Sequence, residues 1–183
     1  LRHRVHFVIC GNGAAQDKLR ELAKGVDGVQ MLPVQPFDQF NALMNCADVH
    51  LLPQRAGVAD LVMPSKLTGM LATGRPVVAC AAAGTQICDV VAGRGLTVEP
   101  GDTLGFAQAI ARLAENPEMR KQMEKEARRY AVEELSLDAS LEYLLKQLDV
   151  LTGRRKVIVR TIRAWGQNVV NVVKPGANFE RVQ

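Results

Sequence analysis

The sequence predicts an α/β protein in which helices cover both faces of a parallel sheet. Short apolar runs alternate with amphipathic stretches between residues 5 and 99. The apolar runs are continuous rather than alternating, which is typical of parallel strands buried on both faces. A length of 183 residues with 48% hydrophobic residues is sufficient for a domain with its own core.

The predicted elements follow one another regularly. Five strands are predicted at residues 5–10, 29–33, 48–53, 76–81 and 95–99, and four helices connect them at residues 15–25, 37–47, 65–73 and 85–92. Three further helices follow from residue 102 onward. Asp102 is placed to cap the first of these, and Pro117 suits the first turn of the second. Ligands of such sheets bind beyond the carboxyl ends of the strands, so the loops there are the candidates for function.

The charge is distributed unevenly along the chain. Residues 153–183 carry seven basic side chains and one acidic one, whereas residues 1–152 carry 16 basic and 18 acidic ones. We therefore predict a domain of residues 1–152 and a basic tail of residues 153–183. The tail intersperses its charges with apolar residues such as Ile158 and Trp165, a pattern compatible with an amphipathic helix on anionic lipid. A helix packed against another domain and a solvated extension are the alternatives.

Other features exclude whole classes of function. No apolar run approaches the roughly 18 residues of a membrane span, and no signal-peptide cleavage site is present, so a cytoplasmic location is expected. The three histidines have no ligand spacing, and the short basic run with one tryptophan resembles no nucleic-acid reader. The four cysteines are interpreted as free thiols, of which the two in predicted strands, Cys10 and Cys80, are expected to be buried.

The stretch MPSKLTGMLATGRPVVA, residues 63–79, places a lysine at the start of a short helix. We expect the hydroxyl of Ser65 to cap this helix and the backbone N–H groups of residues 66–68 to point outward, where the helix dipole favours an anion. Lys66 adds a cation at the helix end that normally disfavours one, which indicates an anion site. A surface lysine that follows an ordinary cap is the alternative.

The loop Gly11-Asn12-Gly13 lies between the first strand and the first helix. Glycines in this position let the backbone approach a pyrophosphate. Gln16 occupies the place of the third glycine of a dinucleotide fingerprint, and no acidic residue ends a following strand at the expected distance. A generic tight turn and a glycine loop beside another nucleotide ligand both remain alternatives to dinucleotide binding.

From residue 74 the sequence carries the motifs of a known family. The segments GRPVV, GLTVEPGD and NPEMRKQM, followed by ARR, resemble the nucleotide-binding domain of GT-B glycosyltransferases of family 4, the group 1 transferases. The resemblance covers residues 4–150, and residues 55–74 are most similar to the colanic acid and exopolysaccharide fucosyltransferase-like subgroup. It implies a Rossmann-like domain that forms the C-terminal half of a GT-B enzyme, without its first strand and with a helical C-terminal extension.

The resemblance also implies a donor site for a nucleotide sugar. The matching segment PSKL assigns diphosphate binding to Ser65, Lys66 and Leu67. The glycine loop and the loop after the second strand would meet the nucleotide, through Gly11, Gly13, Val34, Gln35 and Phe37.

Two donor-binding glutamates of the family have no counterpart here. Their positions fall at Leu61 and Gly69, and Asp60 is a candidate to replace the first beside the donor sugar. Arg55 is a further candidate for the diphosphate, because a guanidinium donates two parallel hydrogen bonds. An ordinary surface arginine is the alternative at that position.

The function implied by the resemblance is that of a retaining, metal-independent glycosyltransferase of bacterial surface polysaccharides. Its substrate would be a UDP- or GDP-sugar, with no cofactor, and its acceptor a lipid-linked or saccharide molecule at the inner membrane face. No catalytic residue is assigned, because the resemblance implies an active site in the cleft between this domain and an N-terminal acceptor domain. We expect the chain alone to bind donor weakly and to transfer nothing. The alternatives are a non-catalytic scaffold with a degenerate donor site and a GT-B sugar-nucleotide epimerase.

Overall fold

The computed structural model describes residues 5–55, 63–152, 158–164 and 167–173, with side chains described up to residue 150. The chain divides into two compact units, Leu1–Leu135 and Ser136–Gln183. The domain boundary predicted after residue 152 stays a prediction.

The first unit follows the predicted alternation of strands and helices closely. Its strands are β1 (Phe7–Cys10), β2 (Val29–Leu32), β3 (His50–Leu52), β4 (Val77–Cys80) and β5 (Gly95–Val98). Its helices are α1 (Gln16–Ala23), α2 (Phe37–Asn45), α3 (Ser65–Ala72), α4 (Gln86–Val91), α5 (Thr103–Glu115) and α6 (Pro117–Glu133). Every predicted element of residues 5–135 is therefore confirmed, with bounds that differ by only a few residues.

The strands are parallel, but they form two sheets rather than one. β1 pairs with β2, and β4 lies between β3 and β5. Of the strands that the structure describes, none joins the two sheets. The predicted parallel pairing is therefore confirmed, with the described strands divided between a pair and a trio.

Helices cover both faces of the β3-β4-β5 sheet. On one face Val77 and Ala79 pack in a core cluster with Leu67 and Leu71 of α3 and with residues of α4 and α6. On the opposite face Val78 packs with residues of α5. Because successive side chains of a strand point to opposite faces, the continuous apolar run of β4 is buried on both sides, as predicted.

The ends of α5 and α6 are fixed by side-chain caps. The carboxylate of Asp102 accepts a hydrogen bond from the backbone N–H of Gly105 at 2.8 Å, which confirms its predicted role. The amide oxygen of Asn116 accepts one from the backbone N–H of Met119 at 3.0 Å, and Pro117 occupies the first helical position. Both caps satisfy backbone donors that a helix leaves unpaired at its start.

The prediction that Cys10 is buried is wrong. Cys80 is buried in β4, but Cys10 is exposed at the end of β1, where its thiol donates to the carbonyl of Pro33. The apolar run of β1 identifies a strand, but the burial of that strand depends on what covers it. The neighbouring helices α1 and α2 contain no buried residue.

The second unit contains α7 (Leu137–Thr152), β6 (Ile158–Ala164) and β7 (Gln167–Val173). The strands β6 and β7 pair antiparallel, from Ile158 opposite Val173 to Ala164 opposite Gln167. The amphipathic helix considered for the tail is therefore wrong over these residues. The runs IVRTIRA and QNVVNVV are rich in β-branched residues, which favour strands over helices. Trp165 and the last ten residues lie outside the described residues.

Candidate functional site

The candidate site lies at the carboxyl ends of the parallel strands. In the first sheet these ends lead into the loops between β1 and α1 and between β2 and α2. In the second sheet they lead into the loops that follow β3, β4 and β5. The predicted site residues fall into two groups accordingly, one on each sheet.

The glycine loop after β1 is held against the end of β2. The backbone N–H of Gly11 donates to the carbonyl of Leu32 at 3.2 Å, and the amide of Gln16 donates to the carbonyl of Gly11 at 3.0 Å. Gly11 has a φ of +147°, a conformation that strongly favours glycine. Gln16, in the place of a third fingerprint glycine, thus folds its side chain back over the loop. This arrangement favours a local structural role for that position.

The loop after β2 presents its predicted residues to solvent. Val34 is exposed, and Phe37, the first residue of α2, is 95% exposed. The side chain of Gln35 donates to the carbonyl of Pro33 at 2.9 Å. The structure therefore brings Gly11 and the Val34–Phe37 loop to the same end of the first sheet. Val34 and Phe37 are exposed to solvent there.

The second group lies at the start of α3, where one expectation is wrong. Ser65 is the first helical residue, and Pro64 occupies the cap position without any side-chain hydrogen bond. The hydroxyl of Ser65 therefore does not cap α3. Pro64 has an extended backbone, with a φ of −65° and a ψ of 122°, and the φ is fixed by the proline ring. The cap of α3 therefore lies one residue before Ser65.

The backbone of this helix start is only partly free. The N–H of Leu67 donates to the carbonyl of Pro64 at 2.9 Å, so one of the three amides expected to point outward is already used. The side chain of Leu67 is completely buried in the core. Ser65 and Lys66 are exposed. The start of α3 therefore presents a hydroxyl and a cation to solvent, while Leu67 fixes the helix in the core.

Arg55 and Asp60 belong to the loop that connects β3 to α3. Arg55 is exposed three residues after the end of β3, at the carboxyl end of the strand as predicted. Asp60 and the adjacent Leu61 lie outside the described residues. Gly69, at the second glutamate position of the family, is exposed within α3.

Two further polar groups at these strand ends escaped the sequence analysis. The carboxylate of Glu99, directly after β5, accepts a hydrogen bond from the backbone N–H of Ala83 at 3.1 Å and so ties the loop after β4 to the end of β5. The side-chain oxygen of Gln54, two residues after the end of β3, is buried and has no hydrogen-bond partner among the described residues. In the sequence, both residues are polar side chains at the end of an apolar run, and this position is the signal that could have identified them.

The buried histidine lies at the other end of the sheet. His50 begins β3, and its Nε2 lies 3.0 Å from the hydroxyl of Thr73. Burial, and then the positive charge of Arg75, lower the pKa of His50 below its ordinary value of 6.5. Because the amino ends of parallel strands lie opposite the candidate site, this histidine is interpreted as part of the framework.

Comparisons with known proteins identify this fold as that of glycosyltransferases. The glycosyltransferase from Rickettsia africae aligns with a TM-score of 0.66 at 17% identity, over 84% of this chain and 42% of that structure. HepE from Anabaena, solved in complex with UDP-glucose, aligns with a TM-score of 0.64 at 19% identity, over 80% of this chain and 41% of that structure.

The family itself is defined by sequence. The model of the family described as "Glycosyl transferases group 1" matches residues 1–116. The chain therefore belongs to this family. A protein of Escherichia coli strain K12 named as a colanic acid biosynthesis glycosyl transferase, WcaI, is 39% identical over 99 residues. That match covers 51% of this chain and 24% of the relative, so the chain spans well under half the length of its relatives. Family membership and fold class are confirmed as predicted from the motifs.

Proposed function

We propose that these residues form the donor-binding half of a retaining, metal-independent glycosyltransferase. The observation that carries this proposal is the match of residues 1–116 to the group 1 transferases. The donor would be a nucleotide diphosphate sugar. The similarity of the fold to HepE, which was solved with UDP-glucose, supports a UDP-sugar as the first donor to test.

The start of α3 is the proposed contact for the diphosphate. Lys66 is exposed there, and the amino end of a helix attracts anions through its dipole and its unpaired N–H groups. Leu67 and Leu71 anchor the helix in the core, so its start is held rigidly. Lys66, Ser65 and Arg55 would then stabilise the charge that develops on the leaving diphosphate.

The acceptor side of the reaction would be supplied from outside these residues. The similarity to a relative named for colanic acid biosynthesis supports a role in building a bacterial surface polysaccharide. A cytoplasmic enzyme with its basic tail near the inner membrane face would meet a lipid-linked acceptor there. In the described residues, no helix combines the length and the apolar character that a membrane span requires.

The test is calorimetric titration of the chain with UDP and with GDP. We expect saturable binding of one nucleotide, weakened about 5- to 150-fold by Lys66→Ala, which corresponds to the roughly 1 to 3 kcal/mol of one charge-assisted contact. The matched control is Lys121→Ala, which removes an exposed lysine of α6 away from the strand ends and should leave affinity unchanged.

Equal affinity in the wild type and in Lys66→Ala would contradict the donor site. It would favour the scaffold alternative, which is supported by the absence of both family glutamates at Leu61 and Gly69. Sugar transfer is a separate measurement. Turnover of a UDP- or GDP-sugar by the 183 residues alone would contradict the proposal that this half needs an acceptor domain.

A further inference from the structure

We infer that Gln54 is a further donor-binding residue, whose side-chain oxygen accepts a hydrogen bond from a hydroxyl group of the nucleotide sugar. This role of Gln54 rests on the proposed function and adds to it the recognition of a hydroxyl group. The observation that carries it is that Oε1 of Gln54 is buried without a hydrogen-bond partner among the described residues.

A buried oxygen without a partner is costly to a folded protein. A polar group loses its hydrogen bonds to water when it is buried, so nearly all buried polar atoms of native proteins have another partner. The oxygen of a carboxamide is an acceptor only, so the partner that Oε1 of Gln54 lacks is an N–H or O–H group. Natural proteins break such packing rules mainly at functional sites.

Position distinguishes Gln54 from the other side chains with an unpaired atom. Three half-buried side chains among the described residues contain such an atom, those of Gln54, Arg94 and Asp149. Arg94 precedes β5, at the amino end of that strand, and its guanidinium donates to the carbonyl of Val90 at 2.8 Å and lies 3.9 Å from the ring centre of Tyr130. Asp149 belongs to α7, in the other unit. Of the three, Gln54 is thus the one at the carboxyl ends of the strands, where ligands of parallel sheets bind.

The backbone favours the side of the sheet that α3 covers as the location of Gln54. Leu52 ends β3 and packs in one apolar cluster with Leu67 of α3. The chain makes no turn between Leu52 and Arg55, and side chains two positions apart on an extended backbone point to the same side. Lys66 immediately precedes Leu67 at the start of α3. Gln54 is therefore placed on the same side of the sheet as the proposed contact for the diphosphate.

The chemistry of a nucleotide sugar matches the missing partner. A diphosphate at neutral pH presents acceptor oxygens, so it cannot pair with the oxygen of Gln54. The ribose and the sugar are attached to the two ends of the diphosphate, and the hydroxyl groups of both can donate. The carboxylate of Glu99, at the end of β5, already accepts from the N–H of Ala83, whereas the oxygen of Gln54 is unpaired.

The side chain has to turn for its oxygen to reach such a hydroxyl. Oε1 is enclosed, but Gln54 as a whole is only half-buried, so part of the residue reaches the surface. A glutamine side chain rotates about three single bonds, and its preference at the last of them is broad. A ligand hydroxyl would give the oxygen the partner that it lacks in the interior. The free energy lost by burying an unpaired oxygen therefore favours the bound arrangement.

The experiment replaces Gln54 by methionine, a flexible side chain of similar length whose sulfur is only a weak acceptor. The wild type and Gln54→Met are titrated calorimetrically with UDP, UDP-glucose, GDP and GDP-glucose. We expect Gln54→Met to weaken binding of the nucleotide sugar about 2- to 12-fold, the range for one hydrogen bond. An equal loss with the nucleotide alone would place the hydroxyl on the ribose, and a loss with the nucleotide sugar only would place it on the sugar.

Urea unfolding separates a ligand-binding amide from a structural one. Gln54→Met removes a buried unpaired oxygen, so its unfolding midpoint should be higher than that of the wild type. A structural amide would lose a hydrogen bond on the same substitution, and the midpoint would fall. The matched control is Gln108→Met, which changes an exposed glutamine of α5 and should alter neither the affinity nor the midpoint.

A further measurement uses the wild type alone and so does not depend on the folding of a variant. The side-chain NH₂ resonances of Gln54, assigned through its backbone, should shift when the nucleotide sugar that binds is added. The resonances of exposed Gln108 should stay in place and provide the internal control.

The outcomes separate the role of Gln54 from the proposed function. Equal affinities of the wild type and Gln54→Met for every ligand that binds would overturn the role of Gln54 and leave the proposed function standing. A lower unfolding midpoint in Gln54→Met, or NH₂ resonances that do not shift in the wild type, would also overturn it. A wild type that binds none of the four ligands would contradict the proposed function and the role of Gln54 together.

Discussion

Residues 5–48 and residues 49–135 show the same alternation of strand and helix but differ sharply in packing. In the second region β4 is buried along its whole length, and two clusters of apolar side chains lie on its two faces. In the first region α1 and α2 contain no buried residue, and Leu22 is 67% exposed.

The difference shows that secondary structure and a core have separate requirements. The strands and helices of residues 5–48 are specified by local pattern, by glycines at turns and by parallel pairing of β1 with β2. A parallel strand, however, is buried only when strands flank both edges and helices cover both faces. β4 meets these conditions, whereas β1 pairs with a strand on one edge only among the strands that the structure describes.

The largest expected effect comes from truncating one leucine in each region. Leu71→Ala should lower the free energy of unfolding by about 2 to 5 kcal/mol, because it leaves a cavity in a closed core. Leu22→Ala, the matched change on α1, should cost less than about 0.5 kcal/mol. Urea denaturation of both variants measures the difference. Equal losses would mean that α1 is packed as tightly in solution as α3.

Helix caps provide a second, smaller contrast. Asp102→Ala should cost about 1 kcal/mol, because the N–H of Gly105 loses its acceptor. Asp17→Ala removes the same charge from the first turn of α1, where the carboxylate lies 3.7 Å from exposed Arg20, and should cost well under 1 kcal/mol. Thermal unfolding of the two variants compares them directly, and a greater loss for Asp17→Ala would reverse the ranking of the two regions.

The smallest expected effect is a pH dependence that arises in the second region. Because the pKa of His50 is lowered in the folded protein, the unfolded chain takes up its proton first as pH falls. Stability should therefore be complete above pH 6.5 and decline as the pH falls from there toward the lowered value. The measurement is the denaturation midpoint at several values between about pH 7.5 and 5, the interval in which histidine titrates. The midpoint should fall less steeply with pH in His50→Gln than in the wild type.

The matched control for that measurement is His6→Gln. His6 is exposed just before β1, so its replacement should leave the decline unchanged. A decline that persists in His50→Gln but disappears in His6→Gln would assign the pH dependence to the first region instead.

The candidate site was only partly predictable. The motif PSKL located the start of α3, and the structure places Lys66 there with its side chain exposed. The cap was not predictable from residue type, because Ser65 and Pro64 both suit a helix start and the backbone conformation selected Pro64. The hydrogen bond from Ala83 to Glu99 joins residues 16 positions apart, a contact that no local pattern encodes.

By itself, the sequence determined the order and type of the elements of residues 5–135, the capping of α5 by Asp102, and the family. These follow from periodicity, turn residues and spaced motifs, which are local properties of the chain. The tertiary structure alone decided that the parallel strands divide into a pair and a trio, that Cys10 is exposed while Cys80 is buried, and that residues 158–164 pair with residues 167–173 as strands. Burial and strand pairing depend on which distant segments of the chain pack against an element. The sequence of an apolar run is the same whether or not another element covers it.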